Sequence, residues 1–102
     1  MIELEQKDWY FKFLSSKNSL IIDVRTEHEF MDKHINGSLL IDINQPSEFI
    51  NEINNLDKNK NYFVYCKSGA RSSNACKIMN ELGIVNTYNL IGGIDNWEGE
   101  TK

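Results

Sequence analysis

Tyr62-Phe63-Val64-Tyr65-Cys66-Lys67-Ser68-Gly69-Ala70-Arg71-Ser72 is the stretch from which the rest of the chain can be read. Four apolar or aromatic residues in a row suit a short strand buried on both faces, and they run directly into a loop of small residues. Beyond the loop, Ala75, Ile78, Met79 and Leu82 recur at helical spacing, and Gly83 is placed to end the helix in a left-handed cap. A cysteine between such a strand and such a helix lies where several backbone N–H groups converge on one anionic atom. That setting takes a thiol from ~8.5 to ~3.5–7.5, so Cys66 is predicted to be a thiolate nucleophile.

The same alternation extends in both directions. Ile2 to Leu4, Leu20 to Val24, Ser38 to Ile41, Asn61 to Tyr65 and Val85 to Asn89 read as short strands, with helices between them. This predicts an α/β fold with a largely parallel sheet. Around Asp8 to Ser15, Trp9 and Phe13 are four apart, and Tyr10 and Leu14 repeat the spacing, which predicts core packing for all four. Thr26-Glu27-His28-Glu29 reads as a capping box that opens a short helix with Phe30 facing inward. Pro46 suits the first turn of a helix carrying Phe49, Ile50 and Ile53.

With 102 residues the chain is expected to form one domain, residues 1–102, around a single core. No apolar run approaches the roughly 20 residues that span a bilayer, and the start lacks a secretory pattern, so a soluble cytoplasmic protein without membrane association is predicted. The net charge of −4 argues against nucleic acid as a partner and requires local positive groups to attract an anion. Cys66 and Cys76 do not have metal-site spacing, and His28 and His34 have no third ligand at a telling distance, so no metal and no cofactor is expected. His34 is expected to bond backbone and His28 to be solvated.

Within the loop, Gly69 permits a tight turn, and small Ser68 and Ala70 let the backbone curl around the sulfur. Lys67 and Arg71 add positive charge. Cys66 is thus the catalytic candidate, and Lys67, Ser68, Gly69, Ala70, Arg71 and Ser72 are the substrate-binding candidates. Four residues separate Cys66 from Arg71. Cysteine phosphatases generally have five there, a wider ring that surrounds a phosphoryl group, whereas four leave room for one terminal sulfur.

The chain resembles the rhodanese family in four elements that occur in the family's order and span roughly residues 20 to 97. They are the Cys-x-x-Gly-x-Arg-Ser loop at Cys66; Ile22-Asp23-Val24-Arg25 with Glu29-Phe30; His34-Ile35-Asn36-Gly37-Ser38; and Gly92-Gly93-Ile94 with Trp97. The resemblance implies a three-layer fold with a five-stranded sheet flanked by helices on both faces. It also implies double-displacement sulfur transfer: Cys66 takes a sulfur from a donor such as thiosulfate or a persulfide and passes it to cyanide, a thiol or a protein cysteine. By that resemblance Cys66 bears the sulfur, the backbone from Lys67 to Ser72 cradles it, Arg71 braces the loop or contacts the donor, and Lys67 favours an anionic donor. The implied partners are a small-molecule sulfur donor and a protein sulfur donor or acceptor. Asn36 stands where the family commonly has proline and Lys33 where it often has glycine; both bear on the rigidity of the turn before the third strand.

Other readings stand beside these. Cys76, beside Ala75 on a helix, is read as a small packed hydrophobe, with a redox disulfide to Cys66 as the minor alternative. Asp23 and Arg25 are read as a buried hydrogen-bonded pair that fixes nearby loops. Trp97 either walls the mouth of the site or closes the core. For function, the alternatives to a sulfurtransferase are a persulfide carrier, a non-catalytic binding module and a cysteine phosphatase on the same fold.

Overall fold

Strands separated by crossover helices return to the same end of a sheet, and therefore pair in parallel. The structure, a computed structural model, describes residues 1–102. Its elements are β1 (Ile2–Leu4), α1 (Gln6–Ser15), β2 (Ser19–Asp23), α2 (Glu27–Asp32), β3 (Leu39–Leu40), α3 (Pro46–Asn54), β4 (Asn61–Tyr65), α4 (Ala70–Glu81) and β5 (Asn86–Leu90), then a 3-10 turn at Ile94–Asn96. The five strands form one sheet in the order β1-β5-β4-β2-β3, and every neighbouring pair is parallel. Ile21 is opposite Phe63, and Phe63 is opposite Tyr88, so β4 occupies the centre.

The apolar runs are continuous because both faces of the sheet are covered. On one face Ile22, Val24, Tyr62 and Val64 pack with Phe49 and Ile53 of α3 and Ala75, Cys76 and Met79 of α4. On the other, Ile21, Phe63, Tyr65, Tyr88 and Leu90 pack around Trp9 of α1. Trp9 meets Phe63 and Trp97 edge-on at 5.8 and 5.7 Å, and its indole N–H donates to the Tyr88 carbonyl at 3.0 Å. These T-shaped contacts add to the burial of the rings themselves.

Several expectations are corrected in detail. Tyr10 and Leu14 are 38% and 64% exposed, because the buried stripe of α1 is narrow and centred on Trp9 and half-buried Phe13. On α3, Phe49 and Ile53 take the inner face. The third strand is two residues long at the sheet edge, and exposed Val85 leaves β5 to start at Asn86.

The capping box has both halves, with Thr26 Oγ1 accepting from the Glu29 N–H and a Glu29 carboxylate oxygen accepting from the Thr26 N–H. Helix α4 ends at Gly83 (φ +99°), where the Ile84 N–H donates to Met79 O and the Gly83 N–H to Asn80 O, a Schellman cap. The turn with Asn36 is held by backbone pairing with the chain's end: the His34 N–H donates to Lys102 O (3.0 Å), the Lys102 N–H to His34 O (2.8 Å) and the Asn36 N–H to Glu100 O (3.2 Å). These bonds supply restraint at a position where a proline ring would otherwise fix the backbone.

Beneath that turn lies a buried polar network. The Asp23 carboxylate accepts from Arg25 Nη2 at 2.7 Å and from the Tyr65 hydroxyl at 2.6 Å, and the Tyr65 oxygen accepts the Ile35 N–H at 3.0 Å. Burial, reinforced by the Asp23 charge, pushes the Tyr65 hydroxyl well above its ordinary pKa, so it stays a donor. Tyr65→Phe leaves the buried Ile35 N–H unpaired and takes one donor from Asp23 Oδ2, which Arg25 still holds, and is expected to cost about 1–3 kcal/mol in urea unfolding. A loss too small to measure would show that the network is not under strain to stay paired.

Candidate active site

Side chains at the carboxyl ends of parallel strands face the crevice where neighbouring crossovers diverge, and β2 and β4 are such neighbours here. β2 ends in the Asp23–Arg25 pair and β4 ends one residue before Cys66. The Cys66–Ser72 loop starts from this floor. Its turn depends on Gly69, which has φ +111° and directly precedes α4; a side chain there is strained.

That turn points donors at the sulfur. The Gly69 N–H donates to Cys66 Sγ at 3.1 Å, and the Ser72 hydroxyl donates to the same sulfur at 3.3 Å. Burial acts to raise the Cys66 pKa, but the Ser72 hydroxyl and the backbone N–H groups of Ser72, Gly69 and Ser68 outweigh it, leaving the thiol below its ordinary value. Hydrogen bonds to the anion, more than neighbouring cations, therefore stabilise the thiolate. Cys76, in the apolar layer under α4, has its thiol pushed up to about 12 by burial. The two cysteines are both free, and they are chemically opposite.

The loop is braced on two sides. Behind it, the Ile94 N–H donates to Cys66 O (3.0 Å) and the Asp95 N–H to Lys67 O (3.1 Å). Gly93, with φ +59°, lies so close that a Cβ would overlap the Cys66 and Lys67 carbonyls. Asn89 Nδ2 donates to Gly69 O at 3.2 Å and to a Glu3 carboxylate oxygen at 2.8 Å, tying the turn to β5 and β1. In front, Arg71 forms a two-pronged pair with Glu29, Nη1 to Oε1 at 2.8 Å and Nη2 to Oε2 at 2.9 Å. The Arg71 bonds, aided by those from Thr26, hold the Glu29 carboxyl at about 2 against the opposing effect of burial.

Lys67 points outward and pairs with Asp95 at 3.1 Å. Cys66 itself is only 1% exposed, so the loop forms a closed cup over its sulfur. Beside the cup is a cavity of about 260 Å³ lined by Arg25, Glu29, Asp32, Lys33, Lys67, Ile94 and Asp95. Trp97 is not among them; it packs edge-on against Trp9 and Tyr10 and closes the second core. His34 Nδ1 lies 2.9 Å from Phe30 O with the two rings stacked, and His28 is exposed.

The loop residues thus gather around one sulfur, with Ser68, Gly69 and Ser72 supplying donors, Arg71 turned to Glu29 and Lys67 to Asp95. Sequence reasoning gave Glu29 only its capping role and missed Asp95 and Asn89. The Gly92-Gly93 pair was the one visible signal of a close backbone approach.

The rhodanese-like domain family model matches residues 6–100. The protein named "Putative sulfurtransferase YtwF" of Bacillus subtilis is 37% identical over 91 residues, spanning 89% of this chain and 84% of that one. Thiosulfate sulfurtransferase GlpE of Coxiella burnetii is 27% identical over 86% of this chain and 79% of its own. A crystal structure of a rhodanese-like domain protein from Staphylococcus aureus superposes with a TM-score of 0.82 at 29% identity, covering 98% of this chain and 94% of that one.

Two outcomes are expected from this geometry. Ser72→Ala removes a donor to the sulfur, so the thiolate titration followed by ultraviolet absorbance moves to higher pH; an unmoved midpoint would assign the effect to backbone N–H groups alone. Glu29 has a folded-state pKa below its ordinary 4.5, so its contribution to stability is full above pH 4.5 and lost as pH falls toward 2. Glu29→Gln is expected to lower the unfolding midpoint at pH 7 and to flatten its decline between pH 4.5 and 2, and an unchanged acid limb would contradict the pairing.

Proposed function

The chain belongs to the rhodanese-like domain family, and we propose that it acts as a sulfurtransferase by moving a sulfane sulfur through a persulfide on Cys66. The observation that carries this reading is the convergence of the Gly69 N–H and the Ser72 hydroxyl on the Cys66 sulfur, which lowers the thiol's pKa in spite of burial. In the first step the Cys66 thiolate attacks the outer sulfur of a donor, thiosulfate or a persulfide. A sulfur–sulfur bond to Cys66 forms as the donor's own breaks, and sulfite or a thiolate leaves with the electron pair. In the second step a nucleophile such as cyanide, a thiol or a protein cysteine removes the outer sulfur and restores the thiolate.

The donors favour this role in both states. They stabilise the resting thiolate, and they stabilise it again as the leaving group when the sulfur is handed on. Gly69 and Ser72 contact the sulfur, Ser68 adds an N–H field, and Ala70 leaves the first turn of α4 uncrowded. Arg71 serves to brace the cup. The phosphatase reading is disfavoured because a phosphoryl group needs a free arginine fork, and both prongs of Arg71 are held by Glu29. We read residues 1–102 as one domain, and place it in the cytoplasm, whose reducing poise keeps such a thiolate unoxidised.

Cys66→Ser is expected to lower sulfur transfer to cyanide by about 10³-fold or more, since a hydroxyl cannot hold the transferred sulfur. Cys76→Ala, altering only apolar packing, is expected to keep transfer at the wild-type level. Comparable activity in Cys66→Ser, or its loss only in Cys76→Ala, would overturn the assignment.

A further inference from the structure

Resting on that reading, the charges around the cup select among donors. The cavity beside the cup is lined by the cations Arg25, Lys33 and Lys67 and the carboxylates Glu29, Asp32 and Asp95, and Arg71 and buried Asp23 add one charge of each sign directly behind that lining through their pairs with Glu29 and Arg25. Three of the cations are directly paired: Arg25 with Asp23, Arg71 with Glu29 and Lys67 with Asp95. Lys33 is the fourth, and Asp32 beside it on the same rim offsets its charge. The chain as a whole carries −4, so no long-range field replaces the missing local one.

We propose that the donor for Cys66 is a persulfide, R–S–SH, carried on a small thiol or a protein cysteine, in preference to the thiosulfate dianion, and that Asp95 sets this preference by neutralising Lys67. Attack on thiosulfate gathers three negative charges, one on the thiolate and two on the donor, over a mouth with no net positive charge. Attack on a protonated persulfide gathers one. The Cys66 thiolate forms a bond to the terminal sulfur, the R–S bond to that sulfur breaks, and RS⁻ leaves with the electron pair. The terminal proton stays on the transferred sulfur, giving Cys66–S–SH and RS⁻ with no oxidant or reductant consumed.

Asp95 is the residue through which this is adjustable. The Asp23 and Glu29 pairs are built into the floor and brace of the loop, whereas the Lys67–Asp95 pair is exposed and its removal leaves the backbone bond from the Asp95 N–H in place. The neutral site is thus a property of one side chain on the turn behind the loop.

The test measures second-order rate constants for loading Cys66, read as cyanide-releasable sulfur, with glutathione persulfide, a preloaded cysteine desulfurase and thiosulfate. Each small donor is normalised to its reaction with a free thiolate. One or both persulfide sources are expected to load the wild type on the order of a hundredfold faster than thiosulfate after normalisation. Faster loading by glutathione persulfide identifies a small-thiol source, and faster loading by the desulfurase a protein one. Asp95→Asn is expected to narrow the persulfide-to-thiosulfate ratio about three- to tenfold by freeing Lys67. Thiosulfate loading as fast as persulfide, or a ratio unchanged in Asp95→Asn, would overturn the inference while leaving the sulfurtransferase reading intact. Failure of every donor to load Cys66 would overturn both.

Discussion

The structure around the site depends on one constraint, that a sulfur buried at the end of the central strand must be stabilised as an anion without water. Burial alone favours the neutral thiol, as Cys76 shows with its strongly raised pKa only ten positions along the chain. Cys66 escapes this because a left-handed glycine directly before α4 turns its own N–H, and the start of the helix, toward the sulfur. Much nearby serves that turn: Asn89 holds its carbonyl, Gly93 comes up against its back, and the Ile94 and Asp95 N–H groups bond to the strand end. Distributing the stabilisation over several dipoles lowers the thiol's pKa without a dedicated cation beside it.

Freed from that task, the cations do something else. Arg71 and Glu29 join the loop to the start of α2, and Arg25 and Asp23 join β2 to the turn at Lys33 through the Lys33 carbonyl. Glu29 serves two structures at once, since the carboxylate that completes the Thr26 cap also receives the guanidinium. The helix cap and the active loop are thereby coupled, and a single carboxylate carries both.

Much of this was legible in the sequence because short-range rules govern it. The β4–loop–α4 unit, the Thr26 cap and the Gly83 stop each follow from residue order within about ten positions, and the structure has all three. The five-strand parallel sheet follows from the alternation of elements. What the sequence hid is set by packing across long separations. Glu29 meets Arg71 and Asp95 meets Lys67 only because the sheet brings their loops together, and neither pair has a local signature. The exposed side of α1 was misjudged at Tyr10 and Leu14 because spacing identifies a stripe but not how wide a neighbour covers it. The donors' pattern around Cys66 was readable as small residues, whereas the closing of the cup over the sulfur was not.

The most direct measurement is the intact mass of the protein after exposure to a sulfane-sulfur donor, followed by peptide mapping under conditions that keep persulfides intact. The account predicts a gain of one sulfur atom, located on the peptide containing Cys66, reversed by cyanide and absent at Cys76. Reduced, folded protein that gains no sulfur from either a persulfide or thiosulfate, or that gains it at Cys76, would contradict it.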